Sequence, residues 1–177
     1  MRYFVLAVFY CLLITGCKKA DEPVVPTGPQ MPERTEKGAN ILACKVNGTI
    51  HVYRGEFSWN HPDGVSFGQY DAGGYTFIKA NEDKKYIDNI GILIYSLDIV
   101  VGKEYKLFDE NSEGAAEYYP AEGANGNIYL TEYGGGVVKF TRYDSLIAAG
   151  TFSFNAGKSS GEEVKIAEGF FDISLKE

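Results

Sequence analysis

A thiol and an imidazole, Cys44 and His51, stand on either side of Asn47-Gly48. A reactive cysteine needs a base beside it and a group to orient that base. In a strand, burial raises the thiol pKa and keeps the sulfur protonated, so Cys44 reads as a small buried hydrophobe. Zinc needs three or four nitrogen, sulfur or carboxylate ligands. Cys44 and His51 face each other only approximately across the turn, and His61, the other histidine, sits beside Pro62 in a separate turn. Asp109-Glu110-Asn111-Ser112-Glu113-Gly114 opens like a calcium loop, with oxygen ligands at alternate positions and glycine sixth. Its twelfth position is Pro120, which has no carboxylate, so a solvated acidic turn is the expectation. Gly134-Gly135-Gly136 precedes neither a lysine nor a helix and reads as a flexible hairpin turn rather than a phosphate loop. The chain carries no Gly-x-Ser-x-Gly elbow. These patterns select no catalytic residue, metal or cofactor, and the expected reading is a protein that is not an enzyme.

The aromatic residues offer a different chemistry. Trp59, Tyr70 and Tyr75 lie close to expected turns, and Tyr118-Tyr119 form a consecutive pair. Rings exposed beside polar groups make a platform for a sugar or a peptide, although alternate aromatics on strands also fill cores. Successive strand side chains point to opposite faces, so at least one of Tyr118 and Tyr119 should leave the core if their strand has one buried face.

Near the start, Arg2 is followed by an apolar run from Tyr3 to Ile14. That length suits the apolar region of an export signal and is too short for a transmembrane helix of about 20 residues. The run closes in Leu13-Ile14-Thr15-Gly16-Cys17, which resembles the lipobox of bacterial lipoproteins. The resemblance implies cleavage between Gly16 and Cys17 and lipidation of the Cys17 thiol. A second acyl chain makes such an anchor stable. Lys18-Lys19-Ala20-Asp21-Glu22 follows, without the aspartate that holds many lipoproteins in an inner membrane. Its basic-then-acidic order looks like a surface-export signal, so the expected address is the outer membrane, including its outer surface.

The formal net charge of −7 becomes more negative once Arg2 is removed with the signal. An acidic chain without basic clusters argues against nucleic acid and anionic head groups as partners. Of three cysteines, Cys11 lies in the signal and Cys17 is the lipidation site. Cys44 then stands alone, and no intramolecular disulfide can form.

A folded scaffold must position these groups. Four of the six prolines, Pro23, Pro26, Pro29 and Pro32, lie within ten residues, which marks residues 17–37 as a tether without fixed structure. Residues 38–177 are one domain's length. Asn47-Gly48 is a strong hairpin signal between Ile41–Val46 and Thr49–Arg54. Further runs with period-2 alternation are Phe57–Trp59, Val65–Tyr70, Tyr75–Ala80, Ile87–Leu97, Lys103–Phe108 and Ala115–Tyr119. The rest are Asn127–Thr131, Gly136–Arg142, Gly150–Asn155, Glu163–Ala167 and Gly169–Leu175, with a short turn within Asp144–Ala149. The pattern predicts an all-β domain, an antiparallel β-sandwich with a β-barrel as the alternative.

Two stretches carry a wider resemblance. Gly38-Ala39-Asn40 with Cys44-Lys45-Val46-Asn47-Gly48 opens the domain. Gly150-Thr151-Phe152-Ser153-Phe154, with Gly161, Val164, Ile166, Gly169, Phe171, Asp172 and Ile173, closes it. Together they resemble a family of uncharacterised Bacteroidota lipoproteins carrying a domain of unknown function. That family implies no activity and no catalytic residue. The expected role is a non-catalytic binding module of the cell envelope for a glycan, peptide or envelope protein. The alternative is a structural or assembly subunit of an outer-membrane complex, with a hydrolytic enzyme ranked below both.

Overall fold

The computed structural model describes residues 30–55, 64–82, 87–108, 112–120 and 128–176. Cys17, the strand expected at Phe57–Trp59, His61 and Asp109–Asn111 lie outside them. The described chain is all-β. Its strands are β1 (Ile41–Val46), β2 (Thr49–Arg54), β3 (Gly64–Tyr70), β4 (Tyr75–Glu82) and β5 (Ile87–Ile94). They continue as β6 (Glu104–Leu107), β7 (Gly114–Tyr119), β8 (Tyr129–Tyr143), β9 (Ile147–Gly157) and β10 (Glu163–Ser174).

All ten join one mixed sheet in the order β2-β1-β10-β9-β8-β6-β7-β5-β4-β3. The sheet curls until its ends approach, and its form is nearly closed and barrel-like, within the sandwich-or-barrel expectation. The backbone N–H of Val65 donates to the carbonyl of Gly55 at 2.9 Å, tying the start of β3 to the end of β2. Followed across the ladders, Gly136 leads one way through Phe154, Ile166 and Val46 to Thr49, and the other way through Leu107, Gly114, Ile94 and Thr76 to Gln69. The closing bond lies six residues beyond Thr49 and four before Gln69. That offset is what tilted barrel strands require.

Alternation puts one face of each strand inside. Leu42, Ile78, Ile90, Ile92, Ile94, Leu107, Val138, Ile166 and Phe171 form a single buried cluster. Its hub is Phe140, whose ring lies 5.2 Å from Phe171 of β10, 6.4 Å from Tyr105 of β6 and 6.3 Å from Phe67 of β3. Phe67 belongs to the last strand of the sheet order, so these edge-to-face contacts span the interior and hold the closure.

Three expectations are corrected. Gly134-Gly135-Gly136 is no turn but part of β8, which takes in Tyr129–Thr131 of one expected strand and the whole of the expected Gly136–Arg142 strand. Glycine is required there because β8 approaches β9 so closely. A β-carbon on residue 134 would sit 2.3 Å from the Asn155 carbonyl oxygen, and one on residue 136 2.3 Å from Phe154 Cβ. Likewise Glu163–Ala167 and Gly169–Leu175 are one strand, β10, carried through a bulge at Glu168 with φ of 52°. Third, ordered chain begins upstream of Gly38. Met31 packs on the cluster of Ile41, Ala43 and Phe170, outside the barrel, as Val52 does, and Arg34 stands 5.9 Å from the Phe170 ring.

Asp172 explains why this upstream segment, the strap, is held. It shares the outer face of β10 with Phe170 and is fully buried. Its carboxylate accepts from the Thr35 hydroxyl, from Gly38 N–H at 2.7 Å and from Lys37 N–H at 3.1 Å. Burial alone would raise its pKa. The hydrogen bonds from Thr35, Lys37, Gly38 and Ala39 outweigh burial and hold it below the ordinary carboxylate value.

Candidate ligand-binding groove

The outer face of β3, β4, β5 and β7 carries a groove of about 450 Å³. Its position follows from register. Ile78, Ile90 and Ile92 point inward, so Phe77, Lys79, Asn89 and Gly91 point outward. Ser66, Lys79, Gly91 and Glu117 are successive partners across the four strands and form one row. Tyr119 lies opposite Asn89, and Asn81 opposite Gly64, at the neighbouring row.

Two glycines shape the floor. Gly91 has no side chain, and a β-carbon there would fall 2.6 Å from Glu117 Oε1. The carboxylate therefore lies across the strand. Gly68 plays the same part for Phe77, since its added β-carbon would meet the Phe77 ring at 2.4 Å. The ring lies down over β3, and the Lys79 ammonium stands 5.7 Å from its centroid.

The Tyr119 hydroxyl donates to Glu117 Oε2 at 3.1 Å. Burial, then the Glu117 charge and this hydrogen bond, raise the phenol's pKa, so Tyr119 stays a neutral donor. The groove thus presents a carboxylate, an ammonium, two carboxamides, a serine hydroxyl and two rings. Such a set accepts and donates hydrogen bonds and offers aromatic faces to apolar C–H groups.

Of the residues singled out by sequence, Tyr119 lies in the groove. Tyr118 does not. It is 5% exposed and packs inside against Tyr129 at 6.2 Å, so it has no face to offer a ligand. The Tyr70 and Tyr75 rings meet at 5.3 Å, tilted by 40°, on the same outer face, with Tyr75 two positions before Phe77 on β4. They flank the groove without lining it. Trp59 lies outside the described residues. Ser66, Phe77, Lys79, Asn81, Asn89 and Glu117 escaped the sequence reading. Only the alternation of β4 and β5 hinted at outward positions, and nothing in one sequence gave the register that aligns them.

The remaining candidates resolve differently. Cys44 and His51 are direct cross-strand partners, not approximate ones, with Cys44 fully buried. No group of three or more metal-ligating side chains occurs among the described residues. In the acidic turn, Glu113 binds the Lys103 ammonium at 2.7 Å and accepts from Lys106 N–H at 3.1 Å. These partners lower its pKa, the Lys103 bond foremost. A second depression of about 420 Å³ lies between the strap and the outer face of β8–β10, bordered by Arg34, Lys37, Thr151 and Phe170.

Comparison with family models, curated proteins and solved structures finds no match to this chain.

Proposed function

We propose that this protein is a non-catalytic binding module of the cell envelope, lipid-anchored through Cys17 at the outer membrane, and that the Phe77–Lys79–Glu117–Tyr119 groove takes its ligand. The observation that carries this reading is the groove's construction. Four strands in register bring hydrogen-bonding groups and rings onto a floor lowered by Gly68 and Gly91. The polar groups are spread along a row instead of converging on one reacting point. That suits recognition of a hydroxyl-rich molecule along its length. The anchor rests on the lipobox and tether, and the lipoprotein family resemblance rests on the motifs at the two ends of the domain.

Thermal unfolding of the full-length chain in detergent, with candidate glycans and peptides added, tests it. A ligand at a hundred times its Kd adds about 2.7 kcal/mol to the native state. The stabilisation should vanish in Phe77→Ala and Glu117→Gln. A ligand that stabilises both variants as well as the parent would bind elsewhere and remove the groove from the proposal.

One observation favours the second reading, a subunit of an envelope assembly. Val100, Val101 and Leu146 are exposed apolar residues at the same end of the barrel. Gly102 N–H bonds the Phe140 carbonyl, placing the Val100-Val101 turn beside the end of β8, from which the Leu146 turn departs. A stoichiometric envelope protein recovered with the parent chain, and lost in Val101→Glu, would support this role.

A further inference from the structure

The groove does not end at Glu117. A second crevice of about 210 Å³ opens on the same outer face, lined by Tyr95, Phe108, Ala115, Leu130, Thr131 and Glu132 among others. The ladders set the two side by side. Glu117 of the groove is the cross-strand partner of Leu130 of the crevice. Leu93 is the partner of both Phe77 in the groove and Ala115 in the crevice. The Phe77–Tyr119 groove and the crevice are therefore neighbours on one face, which runs across β5 and β7 to β8.

The crevice has rings of its own. Phe108 is 45% exposed and Tyr95 42% exposed, beside the small side chain of Ala115. We infer that the ligand is a neutral polysaccharide chain, with one sugar bound in the Phe77–Glu117–Tyr119 groove and a later sugar in the same chain stacked at Tyr95 and Phe108. This rests on the groove reading above and adds to it the ligand's polymeric nature and a second subsite.

Two physical points select this occupant. An extended peptide would gain affinity by adding a strand at a free edge. β3 is the last strand of the sheet, but β4, β5 and β7, which carry Phe77, Lys79, Glu117 and Tyr119, each have strand neighbours on both sides, so at those residues recognition falls to side chains. Charge selects against anionic polymers. The groove and crevice carry Lys79 against Glu117 and Glu132, in a chain of net charge −7.

The test uses the full-length chain in detergent on an array of neutral, acidic and amino glycans and of peptides. The best neutral binder is then titrated by calorimetry as its disaccharide and its hexasaccharide. The expected result is hexasaccharide binding at least tenfold tighter, equivalent to about 1.4 kcal/mol. Phe108→Ala and, independently, Tyr95→Ala should reduce hexasaccharide affinity about tenfold and leave the disaccharide unchanged. Phe77→Ala should weaken both. Equal affinity for the two lengths, or hexasaccharide binding insensitive to both crevice variants, overturns the second subsite while the groove stands. Binding of no neutral glycan, or of acidic glycans or peptides alone, overturns the inference. Among these, no binding by any glycan or peptide also overturns the groove reading.

Discussion

Gly91 and Glu117 are cross-strand partners, and the Glu117 carboxylate occupies the space a β-carbon on residue 91 would need. The nearest atoms belong to the flexible end of Glu117, not to backbone. Gly91→Ala should therefore leave unfolding free energy within about 1 kcal/mol of the parent, the span of strand propensities. It should displace the carboxylate and break its hydrogen bond with Tyr119. The Tyr119 phenol, raised partly by that carboxylate, should then titrate at lower pH. Ultraviolet or NMR titration of Tyr119 checks this. An unchanged titration would show that the carboxylate had stayed in place.

Gly150 offers the contrasting case. A β-carbon there would lie 2.3 Å from the Lys139 carbonyl oxygen, which is backbone, and 2.6 Å from the Phe171 ring. Nothing at the end of a flexible chain can give way. Gly150→Ala should cost several times more than Gly91→Ala in the same denaturant titration.

The Asp172 clamp gives a pH prediction. Its folded-state pKa lies below the ordinary value. Its contribution to stability is present above the ordinary carboxylate range and is lost as pH falls through the depressed folded value. Asp172→Ala strands the N–H groups of Lys37 and Gly38 and the Thr35 hydroxyl, a loss of about 1–3 kcal/mol. Unfolding at neutral pH should show it. The parent–variant gap should close in strong acid, and protease should cut within residues 31–37 faster in the variant.

β10 lies between β1 and β9. Deleting residues 163–177 removes the partner of both and strips Val164, Ile166, Phe171 and Ile173 from the core. The whole barrel should unfold, seen as loss of the strand signal in circular dichroism. Phe154 is 2% exposed, and Phe154→Ala should cost about 3–5 kcal/mol. A truncated chain that kept its spectrum and a cooperative melt would make this segment peripheral.

The anchor is tested chemically. Cys17→Ser should abolish incorporation of labelled palmitate and release the protein from membranes on fractionation.

Much of this fold was written locally. Asn47 and Gly48 adopt positive φ, 48° and 87°, as a two-residue hairpin turn demands, and β1 and β2 end where sequence puts them. What local signals missed were long-range uses of the same residues. Asn47 also accepts from Lys165 N–H and donates its own N–H to the Lys165 carbonyl, fastening the hairpin to β10. Three glycines in a row look like a turn until a neighbouring strand lies too close for side chains. Thr131 is buried because its hydroxyl accepts from Ala116 N–H and donates to the Phe108 carbonyl where β6 and β7 part. Alternation required that at least one of Tyr118 and Tyr119 leave the core, and the structure shows that it is Tyr119. The meeting of Lys79 and Glu117 was not legible in this way, because it depends on the register of β4 against β5 and of β5 against β7.

The strap fixes more than stability. It lies over β1 and β10, while the groove lies on β3, β4, β5 and β7, and strands separate them in both directions around the barrel. Whatever holds the chain upstream of Gln30 therefore takes hold of one wall, and the recognition face looks the other way. Under the anchor proposed at Cys17, the wall that carries the strap is the one joined to the membrane, and the groove lies on a different wall. Under the same proposal, cutting the Asp172 hydrogen bonds would release Thr35, Lys37 and Gly38 from β10 and loosen the wall's hold on the chain that leads to the anchor.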